Sequence, residues 1–276
     1  MTENNWFTTN LHERTPENSE EHEFEIFLKL YEFERTTFQD SANKLAKQLT
    51  EEYDNLYLAY SGGMDSEFVL KTFLDLGLPI KPVILSTPFN ELEYQFALDF
   101  CTERNITPEI ITLDKKQFLQ EMYDRTYAKH WHSMIGGIPL YVADYVNQRN
   151  GKLLTGLGDP FTVWSTGGVS YNPTRFGSTL EYNEFDYYLY EYDNSHPGAF
   201  FNYNISIMYH MIKDIDHTLC VQEAKSVLYG VKYRPKIHMT QELYTAVDIL
   251  RLFDVKRMNS IVPEKALLSK LEQYIK

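Results

Sequence analysis

With 276 residues, 43% hydrophobic and 24% charged, the chain has the make-up of a protein that folds in water, long enough for one substantial α/β domain with additions. No apolar run reaches the roughly 18 residues of a membrane span, and Met1-Thr2-Glu3-Asn4-Asn5 lacks the basic flank and apolar stretch of a secretory leader, so a cytoplasmic location and no membrane are expected. Only Cys101 and Cys220 are present, which excludes a disulfide framework and a four-cysteine zinc site, and a formal charge of -13 disfavours wholesale nucleic-acid binding.

Four segments follow in order: an N-terminal extension over 1–40, an α/β domain over 41–160, an aromatic-rich insert over 161–205 and a mostly helical region over 206–276. The first is polar and acidic between Glu17 and Glu34, with alternation at Phe24-Glu25-Ile26-Phe27-Leu28 that hints at a strand. Leu45, Leu49 and Tyr53 recur at helical spacing, with Ser41 the expected N-cap.

A short apolar run from Leu56 to Tyr60 stops at Ser61-Gly62-Gly63, and helical periodicity from Met64 ends at Gly77. The alternation continues: a strand at Pro82 to Leu85, a helix at about Leu92 to Arg104, a strand at Glu109 to Leu113, a helix from Lys115 capped by Asp114, a helix from Ile138 to Asn147 and a strand at Lys152 to Thr155. Such alternation predicts a doubly wound α/β fold on a parallel sheet. The last of these strands ends in Gly156-Leu157-Gly158-Asp159-Pro160. The insert is rich in aromatic residues, including Trp164, Tyr188, Tyr190 and Tyr192, and serves as cover. Apolar periodicity at Leu243 to Phe253 and at Leu267, Leu271 and Ile275 predicts helices, Pro263 suiting a helix start.

The chemistry concentrates at Ser61-Gly62-Gly63-Met64-Asp65-Ser66. Adjacent glycines let backbone N–H groups approach an anion, the following helix aims its open amides and dipole at the same point, and Ser61 and Ser66 add hydroxyl donors. A carboxylate is out of place beside bare phosphate, so Asp65 predicts a metal such as Mg2+. Neither the Walker ending nor the dinucleotide glycine pattern is present.

The run from Leu56 to Ser66 instead resembles the signature of the PP-loop, or N-type ATP pyrophosphatase, superfamily, in which strand, Ser-Gly-Gly-x-Asp-Ser and helix follow in that order. The likeness extends more weakly over residues 42 to 160 and is similar to the asparagine synthetase C-terminal domain and to cyano-deazaguanine synthases. It implies an adenine nucleotide alpha hydrolase-like fold and an enzyme that adenylates a carboxylate or carbonyl substrate with ATP and Mg2+, releases pyrophosphate and lets ammonia or an amine displace AMP. Adenine would lie against backbone at Ser86 and Thr87. Gly156, Gly158 and Asp159 would face the phosphates and metal, although Pro160 stands where a second acid is often found. Lys225 and Lys236, in a basic cluster with Lys232 and Arg234, would neutralise the departing pyrophosphate.

Asn90 and Glu93 follow the second strand, where a nucleotide contact is one reading, but helix capping by Asn90 is simpler. His130 and His132 lack a third ligand at useful spacing, so no zinc is expected. Cys101 sits at helical spacing from Ala97, as a buried small hydrophobe does. No glutaminase segment is expected, which leaves ammonia to come from solution or a partner. Two other functions are carried forward: a sulfurtransferase or adenylylsulfate-reductase-like enzyme, which needs a nucleophilic cysteine, and a nucleotide-binding module without turnover. The acceptor and the oligomeric state have no motif in the sequence.

Overall fold

The computed structural model describes residues 6–9, 17–18, 26–128, 137–158, 196–216, 218–234 and 272–276. The expectations for Asp159, Lys236, Trp164, His130, His132, Tyr188, Tyr190 and Tyr192, and for the helices at 243–253 and 267–271, fall outside these residues.

Two short strands, β1 (Phe7–Thr9) and β2 (Ile26–Leu28), pair antiparallel ahead of helix α1 (Phe38–Glu52). The stripe Phe38, Ser41, Ala42, Leu45, Ala46 and Leu49 is buried, at the i, i+3, i+4 spacing of one helix face. The cap is Thr37, not the expected Ser41: the Thr37 hydroxyl accepts the Asp40 N–H at 3.1 Å. Ser41 lies inside the helix because the buried stripe already begins at Phe38, and its hydroxyl meets that of Ser206 at 2.9 Å.

The central sheet has five parallel strands in the order β5-β4-β3-β6-β7, made of β3 (Leu56–Ala59), β4 (Lys81–Ser86), β5 (Glu109–Thr112), β6 (Lys152–Thr155) and β7 (Gly198–Ala199). Helices α2 (Met64–Asp75), α3 (Glu91–Glu103), α4 (Lys115–Ala128) and α5 (Gly137–Asn147) fill the crossovers, and α6 (Ile205–Asp214) and α7 (Val221–Tyr229) follow. The expected α/β fold on a parallel sheet is thus the one observed. The fifth strand comes from the end of segment 161–205.

Strand β3 is buried on both sides, as a central parallel strand must be. Leu56, Leu58 and Tyr60 face one core with Phe38, Leu45, Phe68, Phe73, Phe100 and Tyr229, whereas Tyr57 faces the other with Val83, Leu140 and Leu153. Helices α1, α2, α3 and α7 contribute to the first core and α4 and α5 to the second, each fully buried Leu or Phe being worth about 1.5–3 kcal/mol. A third cluster ties the chain's ends to α6: Trp6 and Phe33 pack with Ile205, Met208 and Ile212, and Phe33 forms a parallel bridge with Ile275. Ile275 therefore sits in a bridge where the sequence pattern placed it in a helix.

The helix from Lys115 is capped as expected: Asp114 accepts the Gln117 N–H at 2.8 Å, and the Gln117 side chain accepts the Asp114 N–H at 3.2 Å. No helix among the described residues is long and apolar enough to cross a membrane.

Candidate active site

The order of strands reverses between β3 and β6, and crevices that bind ligands in open parallel sheets lie beyond strand C-termini at such a point. The two glycine-rich turns are both there, because Ala59 and Thr155, the last residues of β3 and β6, are register partners. Asp65 and Ser66, at the start of α2, thus lie beside Gly156, so closely that a Cβ on Gly156 would stand 2.7 Å from the Ser66 nitrogen. Glycine at 156 lets the start of α2 rest on the end of β6.

Gly62 has φ +78, and a side chain there would be driven into the Glu93 carbonyl of α3. Gly63 occupies the N-cap position of α2 and has no side chain with which to cap it. The first intrahelical bond runs from the Glu67 N–H to the Gly63 carbonyl at 3.0 Å, so the amides of Met64, Asp65 and Ser66 precede the ladder. The serines close a small ring: the Ser61 and Ser66 hydroxyls are 3.1 Å apart, and the Ser61 and Gly63 N–H groups donate to Ser66 Oγ and Ser61 Oγ at 3.3 Å. These are long bonds between uncharged groups, weaker than those the same groups would make to an anion.

Helix α7 delivers the charge. Tyr229 stacks on Phe68 of α2 with ring centroids 4.7 Å apart, within a cluster that includes Phe38 and Phe201. Lys225 stands one turn earlier on the same face of α7. Its Nζ lies 2.7 Å from Asp65 Oδ1 and 2.9 Å from Oδ2, and the Tyr229 hydroxyl donates to Oδ1 at 2.8 Å. Lys225 is almost fully buried, with 5% of its side chain exposed, against 30% for Asp65. A buried ammonium is stable only with such a partner. The structure therefore brings together Asp65 and Lys225, which sequence reasoning chose separately.

Two further residues went unforeseen in their roles. Arg234 donates to the Gly62 carbonyl, pairs with Glu67 and lies over the Phe96 ring at 4.9 Å. Glu67 is buried, and burial pushes its carboxyl above the usual carboxylate range, opposed by the Arg234 charge. The signal for Glu67 was an acid immediately followed by Phe68, Val69 and Leu70 in a helix buried on most sides.

At the end of β4 the arrangement is different. Asn90 stands at the N-cap position of α3 but makes no capping bond; its side chain turns back, accepting the Thr87 N–H at 2.8 Å and hydroxyl at 2.9 Å and donating to the Leu85 carbonyl at 2.8 Å. The expected helix cap is thus a loop clasp, because Asn90 can satisfy three groups there against one amide in α3. The Ser86 carbonyl accepts from the Leu113 N–H at 3.0 Å. On the other side of the site, Gly158 has φ +88 and lies against Asn202, whose Cγ would be 2.7 Å from an added Cβ.

Among the described residues no three His, Cys, Asp or Glu side chains gather as a metal site. Among the described residues of the loop Asp65 is the carboxylate, beside open backbone amides and two hydroxyls, a donor set that fits a hard cation shared with phosphate oxygens, as Mg2+ commonly is. Cys101 is buried, and burial raises its thiol to about 11.

Fold and site together define a doubly wound parallel α/β domain with a glycine-rich, cation-flanked loop at its switch point, and strand, Ser-Gly-Gly-x-Asp-Ser and helix occur in the order that the likeness to the PP-loop superfamily requires. No family model matches the chain. No curated protein matches it. Among solved structures it is similar to a predicted subunit of tRNA methyltransferase from Methanocaldococcus jannaschii, at 18% identity and TM-score 0.31 over 42% of this chain and 60% of that one. It is also similar to NMN synthetase from Francisella tularensis, at 15% identity and TM-score 0.35 over 82% of this chain and 99% of that one. A third likeness is to NH3-dependent NAD synthetase from Campylobacter jejuni subsp. jejuni in complex with the nitrate ion, at 14% identity and TM-score 0.35 over 74% of this chain and all of that one. The chain spans less than two thirds of the length of the methyltransferase subunit.

Proposed function

We propose that the chain is an ATP pyrophosphatase of the PP-loop type that works as an AMP-forming ligase. ATP places its phosphates on the loop from Ser61 to Ser66, a substrate carboxylate or carbonyl oxygen attacks the α-phosphorus, and pyrophosphate leaves. Ammonia or an amine then displaces AMP from the adenylated substrate. The observation that carries this reading is the buried Lys225, brought from 160 residues away to the Asp65 carboxylate at the mouth of a glycine loop. A cation fixed at an anion-facing helix start is suited to the charge that builds on a departing pyrophosphate.

In this reading Asp65 holds Mg2+, which supplies charge neutralisation at the phosphates when bound, and Lys225 is released from Asp65 to the phosphate oxygens. Asp159 and Lys236 are proposed as a second metal contact and a second cation. Gly156 and Gly158 keep the β6 end low enough for the phosphate tail to pass. Adenine is proposed to lie by Ser86 and Thr87, where the Thr87 N–H and the Leu85 carbonyl are held by Asn90, so a base read there displaces that side chain. A cytoplasmic location and a small-molecule acceptor complete the proposal.

A sulfurtransferase or adenylylsulfate-reductase-like reaction is disfavoured at Cys101, where burial keeps the thiol protonated and inaccessible, and would have to use the half-buried Cys220. Incubation with ATP, Mg2+, ammonium and a panel of carboxylic acids, followed by 31P NMR, should show AMP and pyrophosphate in step. Pyrophosphate no higher than with the Asp65→Ala variant, while ATP still binds, would make the chain a nucleotide-binding module. Loss of turnover on replacing both cysteines by Ala would favour sulfur transfer.

A further inference from the structure

We infer that Arg234 is a positioning residue for the anion cradle, acting through the Gly62-Gly63 peptide and not by touching phosphate; this rests on the ATP-site reading above. A trans peptide is rigid and planar, with its C=O and N–H pointing in opposite directions. All described peptides are trans, and Arg234 donates to the Gly62 carbonyl. Pinning that oxygen fixes where the Gly63 N–H points, which is toward Ser61 Oγ on the open side of the loop. Glycine at φ +78 gives this peptide little steric restraint of its own and the Gly63 N–H bond to Ser61 Oγ is long at 3.3 Å, so the Arg234 contact adds a restraint that the loop itself supplies only weakly.

The guanidinium is itself held on two further sides. Glu67, one turn into α2, takes its charge, and the Phe96 ring of α3 lies beneath it at 4.9 Å. With 13% of its side chain exposed and its donors turned to Gly62 and Glu67, Arg234 is committed to the loop's frame. Lys225 is in a different situation, since it faces the partly exposed Asp65 at the mouth. Two cations of one basic cluster thus divide the work: Lys225 meets the ligand, and Arg234 sets the amide that meets it.

The test is calorimetric titration of the full chain with Mg2+ and inorganic pyrophosphate, alongside 15N–1H spectra of the Gly63 amide. Replacing Arg234 alone leaves Glu67 buried without its counter-ion, so the main variant is the double Arg234→Met/Glu67→Gln, which removes both charges. The expected result is pyrophosphate binding weaker by roughly 10- to 100-fold, the scale of losing a charge-assisted hydrogen bond. The melting temperature should change little, and the Gly63 signal should shift before ligand is added. Binding equal to wild type, or a Gly63 amide that ignores pyrophosphate in wild type, overturns the role of Arg234 alone. Failure of the wild-type chain to bind pyrophosphate overturns the cradle reading and this inference with it.

Discussion

The ends of β3 and β4 lie side by side in one sheet, yet one is open and the other shut. After β3, Gly63 leaves the start of α2 uncapped, the serine ring is held by long bonds, and side chains from 160 residues or more away converge on the loop. After β4, a single Asn90 side chain occupies the Thr87 amide, the Thr87 hydroxyl and the Leu85 carbonyl at once. The two turns differ in what holds them: the first by long bonds among its own serines and by cations from far along the chain, the second by three short bonds to one neighbouring amide side chain.

The largest effects should come from the charges at the open end. Asp65→Asn keeps an acceptor for Tyr229 but removes the carboxylate charge, and turnover of ATP to pyrophosphate should fall by about 100- to 1000-fold, the scale of losing one preorganised charge at a transition state. Lys225→Met should cost about 100-fold in kcat with a smaller change in KM for ATP, as expected of a group that gains its full value only as pyrophosphate departs. Unchanged rates in either variant, measured by coupled pyrophosphate release, would break the contrast between the two strand ends.

Backbone tests come next. Gly62→Ala forces an L-residue into φ +78 and drives its Cβ at the Glu93 carbonyl, so unfolding in urea should show a loss of more than about 2 kcal/mol. Gly156→Ala meets the Ser66 nitrogen at 2.7 Å and should lose roughly 1–3 kcal/mol, with weaker ATP binding because α2 is pushed off β6. If Gly156→Ala leaves ATP affinity untouched, the β6 end has no part in the open site.

Most of the fold was legible in the sequence because strands and helices carry different periods. The stripe in α1 could be read that way, and Leu56 to Tyr60 and Lys152 to Thr155 as short apolar runs stopped by glycine. The loop was legible too, since glycine and serine at those positions act through their own backbone and hydroxyls. What could not be read were pairings across long stretches of chain. Ser41 looked like a cap because nothing local announces Ser206, and Asn90 looked like one because the carbonyl it reaches belongs to the strand before it. Lys225 and Arg234 were visible as a basic cluster, but which cation would meet Asp65 and which would hold Gly62 depends on how α7 packs on α2. Strand β7 is two residues long, too short for any period to show.

Asn90→Ala sharpens the contrast from the closed side. It strips partners from the Thr87 amide and the Leu85 carbonyl and should destabilise the chain by about 1–3 kcal/mol in denaturant. If the corner is only a clasp, KM for ATP stays as it was; if adenine is read there, the freed groups change KM while kcat is kept.

The last effect, a slope with pH that is absent at neutral pH, concerns Cys101, which lies on the buried face of the closed side's helix α3 in the first core. Burial raises its thiol from 9.0 to about 11, so the folded chain holds this proton after the unfolded chain has lost it. The unfolded state then binds fewer protons, and the sign follows: the contribution is fully present below pH 9 and fades as pH climbs from 9 to about 11, by at most about 1.4 kcal/mol per pH unit. Comparing urea midpoints of the wild type and Cys101→Ala between pH 8 and 11 isolates this slope from that of the tyrosines, because only the wild type should carry it. The same burial predicts that iodoacetamide leaves Cys101 unmodified in the folded chain at pH 8. Rapid alkylation there would place the thiol within reach of solvent and reopen sulfur chemistry at a face that the packing of α3 otherwise closes.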